Sequence, residues 1–179
     1  MLDFGSHLAD QALVLFGSVD AVYAEMNVHA GSSGADGADD EFFAALHHRG
    51  GVWSHPWGSW VQGAPGPRPG VAGAAGSYVV DGVDRQEAAL VAGRSPRTEG
   101  DRWGVEPQRR WGWLHRGEVR ELVPTQRGRW HTFYPAFAAA VRGQGQVPVN
   151  PWDAVASLRM LDAARVSAAT GRVVAIDSR

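Results

Sequence analysis

Val19-Asp20-Ala21-Val22-Tyr23-Ala24-Glu25-Met26-Asn27-Val28 decides the reading of this chain. Val22, Ala24 and Met26 alternate with Tyr23, Glu25 and Asn27, the two-residue period of a strand with one face buried and the other wet. Upstream, Gly5 to Phe16 carries Leu8, Ala12 and Leu15 at helical spacing and stops at Gly17, a residue suited to a helix C-terminus. Downstream, Ala30 to Asp40 is rich in Gly, Ser and Asp and predicts a loop. Two further strands are expected over Glu41 to His48 and Gly51 to Val61, joined by Arg49-Gly50-Gly51.

The rest of the chain is read by the same rules. Gly63 to Gly70 holds three prolines and three glycines and predicts a loop, and Val71 to Val80 a return to strand. A helical turn is expected over Asp84 to Ala92. Gly93 to Arg129 reads as irregular, anchored by Trp103, Trp111 and Trp113. Tyr134 to Arg142 predicts a short helix ended by Gly143. The plainest helix runs from Pro151 to Thr170, with Asn150 as N-cap, Pro151 in the first turn, Asp153 facing the dipole and Gly171 past the end. Val155, Leu158, Leu161 and Val166 are its expected buried side, and Arg172 to Ile176 closes as a strand. Strands and helices without regular alternation predict an α+β fold, a mostly antiparallel open-faced sheet with helices packed on one face.

Composition narrows the function. A formal net charge of -2 recruits neither nucleic acid nor an anionic membrane. No apolar run approaches the roughly 20 residues of a membrane span, and Met1-Leu2-Asp3-Phe4 lacks the layout of a signal peptide, so a cytoplasmic domain is expected. Without cysteine there are no disulfides, thiolate metal sites or cysteine nucleophiles. All 17 basic residues are Arg, so no lysine amine serves as acid, base or Schiff-base former.

Asp3-Phe4-Gly5-Ser6-His7 is the strongest catalytic candidate, because a carboxylate and an imidazole at i, i+4 share a helix face. Asp3 would orient His7 for general acid/base work; the same spacing also serves helix capping. A metal-dependent hydrolase or isomerase using Asp3, His7 and Asp10 is a weaker alternative. Trp53, His55 and Trp57 fall on one strand face and are candidate substrate-binding residues, although such a face is equally core. Gly70-Val71-Ala72-Gly73-Ala74-Ala75-Gly76 imitates a dinucleotide-binding loop, but Pro65, Pro67 and Pro69 precede it and Tyr78-Val79-Val80 continues as strand. It reads as a turn between sheet segments. His47, His48, His55, His115 and His131 match no zinc spacing, and the eight tryptophans read as core anchors or sugar-stacking surfaces.

The opening from Leu2 to Leu13 resembles the start of the C-terminal domain in the glucose-fructose oxidoreductase / inositol dehydrogenase / MocA family. The likeness continues through Asp40-Glu41-Phe42-Phe43, Pro65-Gly66-Pro67-Arg68, Gly73-Ala74-Ala75-Gly76-Ser77-Tyr78 and Asp84 to Leu90. It closes with Pro148-Val149-Asn150-Pro151-Trp152-Asp153-Ala154 and the helix into Thr170-Gly171, so it covers essentially the whole chain. The resemblance implies one C-terminal domain over residues 1–179 that shapes a sugar or polyol pocket and pairs subunits through its open sheet. It also implies that an N-terminal Rossmann domain, absent from this chain, binds NAD or NADP. Asp3 and His7 match the family's Asp-x-x-x-His pair, whereas its catalytic lysine belongs to the Rossmann half. A domain inactive alone, binding no nucleotide itself, is therefore expected; the alternative is a non-catalytic dimerisation or carbohydrate-binding module of the same fold.

Overall fold

Turn residues and hydrophobic period place most elements where the sequence predicts them. The computed structural model describes residues 1–29, 38–64, 69–81 and 84–177. In chain order these form α1 (Phe4–Phe16), β1 (Val19–Asn27), β2 (Glu41–His48), β3 (Trp53–Ser54), β4 (Trp57–Ser59), β5 (Gly70–Gly73) and β6 (Gly76–Val79). There follow α2 (Gln86–Val91), α3 (Pro96–Glu99), β7 (Gly112–Arg116), β8 (Val119–Val123), α4 (Phe133–Val141), α5 (Pro151–Thr170) and β9 (Val174–Ala175). Most of the loop expected over 30–40 and part of that over 63–70 lie outside the described residues, as do Pro65 to Arg68. The fold is α+β with antiparallel open sheets. It divides into two compact units, Met1–Gly66 with Val149–Arg179 and Pro67–Pro148.

In the first unit β1 is central, paired with β2 on one side and β9 on the other, while β3 and β4 both pair with β2. The strand expected over 51–61 is interrupted at His55-Pro56. Proline has no N–H to offer a ladder, and the Pro56 carbonyl instead accepts from the Ala44 N–H at 2.9 Å. One face of β1 and β2, carrying Val22, Ala24, Phe42, Ala44 and Leu46, is buried against Ala9 and Ala12 of α1 and Met160, Leu161 and Ala164 of α5.

The buried stripes of both helices depart in part from the predicted ones, keeping Ala12 on α1 and Leu161 on α5. On α1 they are Gly5, Ala9 and Ala12, whereas Leu15 is exposed; on α5 they are Ser157, Met160, Leu161, Ala164 and Ser167, whereas Leu158 and Val166 are exposed. Small residues let the helix backbones approach the sheet, so the closest face is not the one with the largest side chains. Ser167 shows how close: its hydroxyl accepts from the Ala24 N–H of β1 at 2.9 Å and donates to the Arg172 carbonyl at 2.6 Å. The α5 caps are as expected, with the Asn150 side chain accepting from the Trp152 N–H and Gly171 in the left-handed conformation at φ 65°.

The second unit holds the sheet β5-β6-β7-β8. Residues 71–80, expected to return to strand with a turn between sheet segments in the glycine-rich stretch, fall largely in the hairpin β5–β6. The stretch read as irregular contains the hairpin β7–β8, which turns at Gly117 with φ 58°. The tryptophans dominated that stretch, yet Trp113 and His115 alternate with Leu114 up to a glycine turn. Trp103 is buried as expected; Trp111 is half-buried and donates its Nε1–H to the Glu106 carbonyl at 3.0 Å. Buried Gln86 binds both Asp84 and the Trp130 N–H.

Candidate functional site

At the N-terminus of α1, packing leaves one face open. Gly5 is buried there: a Cβ would stand 2.7 Å from Met1 Cγ, so a larger residue would displace the Met1 side chain, while Phe42 Cζ at 3.6 Å would remain in ordinary contact. Phe4 stacks on Trp60 at 4.2 Å between ring centroids. With these two contacts fixing the helix end, Asp3 and His7 point outward, and both are exposed.

Asp3 occupies the N-cap, but its side chain makes no cap hydrogen bond; its backbone carbonyl accepts from the Ser6 N–H and from the Ser6 hydroxyl at 2.7 Å. The structure thus places Asp3 at the N-cap of α1 and His7 in its first turn. Among the described residues no hydrogen bond joins the two side chains or occupies either. Asp10 lies one turn beyond, also exposed, and no three His, Asp or Glu side chains among the described residues are grouped to hold a metal.

Trp53, His55 and Trp57 do share a face, the uncovered one. Trp53 pairs with His47 and Trp57 with Phe43, both on the side of β2 away from its buried residues. Trp53 packs on the His47 ring at 4.7 Å and His55 stacks on Phe43 at 6.1 Å. These aromatics and the Asp3–His7 pair therefore stand on opposite sides of the sheet, since α1 packs on the buried face. His48, by contrast, is a core histidine. Its Nδ1–H donates to the Gly17 carbonyl at 2.7 Å, which leaves Nε2 to accept from the Ser54 hydroxyl at 2.8 Å.

Residues not singled out from sequence form a polar clasp at the other end of the uncovered face. His29 bonds Asp40 through Nδ1 at 2.8 Å, and its Nε2 lies 3.5 Å from Glu41. Asn27 donates to the same Glu41 carboxylate at 3.3 Å. The Asp40 hydrogen bond pushes the His29 pKa above its ordinary value; partial burial opposes this, and the charges of Asp40 and Glu41 add to it. A signal existed: β1 and β2 pair antiparallel, so residues just beyond their joined ends must face each other.

In the second unit a cavity of about 90 Å³ is lined by Asp84, Glu106, Arg110 and Thr125, with Gly104 and Gly128 forming its backbone wall. Its charged groups engage one another, Arg110 Nε donating to Glu106 at 3.0 Å and the Arg85 N–H to the same carboxylate at 3.2 Å. The glycine-rich stretch Gly70 to Gly76 closes the β5–β6 hairpin.

Residues 1–176 match the oxidoreductase family, C-terminal alpha/beta domain, and the chain belongs to that family. It is 33% identical to scyllo-inositol 2-dehydrogenase (NADP(+)) IolW of Bacillus subtilis, covering 99% of this chain and 49% of that protein. It is 32% identical to the uncharacterized oxidoreductase YdgJ of Escherichia coli, over 89% of this chain and 45% of that protein. The solved structure of YvaA from Bacillus subtilis superposes with a TM-score of 0.85 and 31% identity, over 98% of this chain and 50% of that one. The chain spans about half the length of the curated relatives it matches. Among the described residues no helix is long and apolar enough to cross a membrane.

Proposed function

We propose that this chain is the substrate-side domain of an NAD(P)-dependent oxidoreductase acting on a hydroxyl of a sugar or polyol in the cytoplasm, inactive by itself. The observation that carries this reading is the exposed Asp3 and His7, neither side chain hydrogen-bonded among the described residues, in a chain similar along its length to a relative named for scyllo-inositol and NADP(+). Oxidising an alcohol releases a proton. His7 would accept it through a ring nitrogen, and Asp3, one turn earlier, would hold the ring towards the substrate.

The described residues do not fit a dinucleotide. The pyrophosphate needs a glycine turn that leaves a strand and opens a helix, whereas Gly70 to Gly76 comprises strand β5 and its turn into the antiparallel strand β6. With no lysine in the chain, any amine acid or base also comes from elsewhere. The nucleotide is then held by a separate Rossmann domain, and this chain supplies the proton acceptor and the substrate's surroundings.

Two measurements test the reading. The chain alone is expected to give no heat on titration with NADH or NADPH, and clear micromolar binding would sink the proposal. In a fusion carrying the remaining half of the Bacillus subtilis relative, His7→Asn should lower kcat by roughly 10²–10⁴-fold with the fold intact; unchanged turnover would remove His7 from the chemistry.

The aromatic uncovered sheet face supports a further part of the reading, that two copies pair through it. Sedimentation velocity should show a dimer that Trp53→Asp with Trp57→Asp converts to monomer. A wild-type monomer that binds a monosaccharide with tryptophan quenching would favour the alternative, a carbohydrate-binding module.

A further inference from the structure

Among the exposed aromatics of the first unit, Trp60 differs in the side of the sheet it takes. It follows β4, where side chains alternate between faces. Trp57 pairs with Phe43 on the uncovered side, and Gly58 pairs with Phe42 on the side that α1 covers. The Trp60 N–H continues that register by donating to the Asp40 carbonyl at 2.8 Å. Two residues beyond Gly58, Trp60 therefore turns to the α1 side, and its ring meets Phe4 at 4.2 Å between centroids with 31° between the planes.

Phe4 links this ring to the candidate acid/base. It directly follows Asp3 and lies three residues before His7 in α1, and residues three apart in a helix are surface neighbours. The indole thus rests on the neighbour of His7. It is 61% exposed, and Phe4 beneath it is 41% exposed. Among the described residues no other ring packs on Trp60, and its Nε1–H has no hydrogen-bond partner. A flat, electron-rich face with a polar N–H at its edge suits one shape of ligand: a ring with C–H bonds on its face and hydroxyls around its rim. An open-chain polyol has no fixed face of this kind and loses more freedom on lying flat.

We propose that Trp60 is the stacking platform of the substrate site, taking the C–H face of a ring-shaped sugar or polyol whose hydroxyls turn towards His7. It is a specificity residue, touching the substrate but no reacting atom. The proposal rests on the reading that this chain is the substrate side of an alcohol-oxidising enzyme. It moves the aromatic contact from Trp53 and Trp57, across the sheet, to the side that carries α1.

The test sets scyllo-inositol, a ring, against sorbitol, an open chain. In the fusion with the remaining half of the Bacillus subtilis relative, Trp60→Ala should raise KM for scyllo-inositol by about tenfold while kcat changes far less. Trp60→Phe should restore most of the loss, and KM for NADP(+) should stay unchanged, which a merely structural role would not allow. An unchanged KM for scyllo-inositol in Trp60→Ala would overturn the platform and leave the oxidoreductase reading standing. A fusion that binds NADPH yet turns over neither polyol would sink that reading instead. The chain alone then decides: the Trp60 indole N–H resonance, identified by its loss in Trp60→Phe, should shift with scyllo-inositol and not with sorbitol. A resonance that shifts with neither, or with both alike, overturns the platform there.

Discussion

Residues 1–66 with 149–177 bury Leu46, Phe42, Met160 and Leu161 between a sheet and two helices, whereas the described residues of 67–148 bury only Ala89 and Trp103 among their hydrophobics. The first unit closes its own core: α1 and α5 cover one sheet face and Ser167 satisfies the last buried N–H beside it. The second is held by backbone and polar contacts, such as Gln86 on Asp84 and Trp130 and Arg127 on two carbonyls, and it leaves α4 bare. Asp3 and His7 are exposed on the unit with the larger core, and the apolar helix α4 is left unburied on the other.

The largest effect that would break this contrast comes from its two anchors. Trp103→Ala should cost about 3–5 kcal/mol and Leu46→Ala about 2–5 kcal/mol, read by denaturant unfolding. If the units are separate, hydrogen exchange will show the first substitution releasing β6 and β7 while β1 and β2 stay protected, and the second doing the reverse. Simultaneous release of both sheets by either change would dissolve the distinction.

A smaller effect sharpens it, because it concerns the first unit alone. The His29 pKa is raised by Asp40, so protonated His29 stabilises the folded state fully below its unfolded pKa, about 6.5, and loses that contribution as pH rises through the higher folded value. The melting temperature of His29→Gln should therefore fall below wild type at pH 5.5 and converge with it under alkaline conditions, while Trp103 fluorescence stays unchanged. A difference that grows with pH would show that the clasp works through the neutral ring.

Much of this was legible in the sequence. Asn150, Pro151 and Gly171 mark α5 to the residue, and Arg49-Gly50-Gly51 marks the end of β2, because caps and turns are local backbone requirements. The β7–β8 hairpin was hidden because three tryptophans drew attention from the alternation around Gly117. Of the candidate site, Asp3 and His7 were picked out by their spacing, and the structure puts them at the N-cap and in the first turn of α1, both exposed. His29 with Asp40 and Glu41 required the pairing of β1 with β2 to bring together residues 11 and 12 positions apart.

By itself, then, the sequence determined the family and most of the element types, since these depend on composition, period and residues within a few positions of one another. Only the tertiary structure decided which face of each helix is inside. Periodicity ranks side chains by hydrophobicity, but burial followed close backbone approach, and so chose Gly5, Ala9, Ala164 and Ser167 over Leu15, Leu158 and Val166. It also put Trp53, His55 and Trp57 across the sheet from His7 and left α4 uncovered, outcomes set by which surfaces meet.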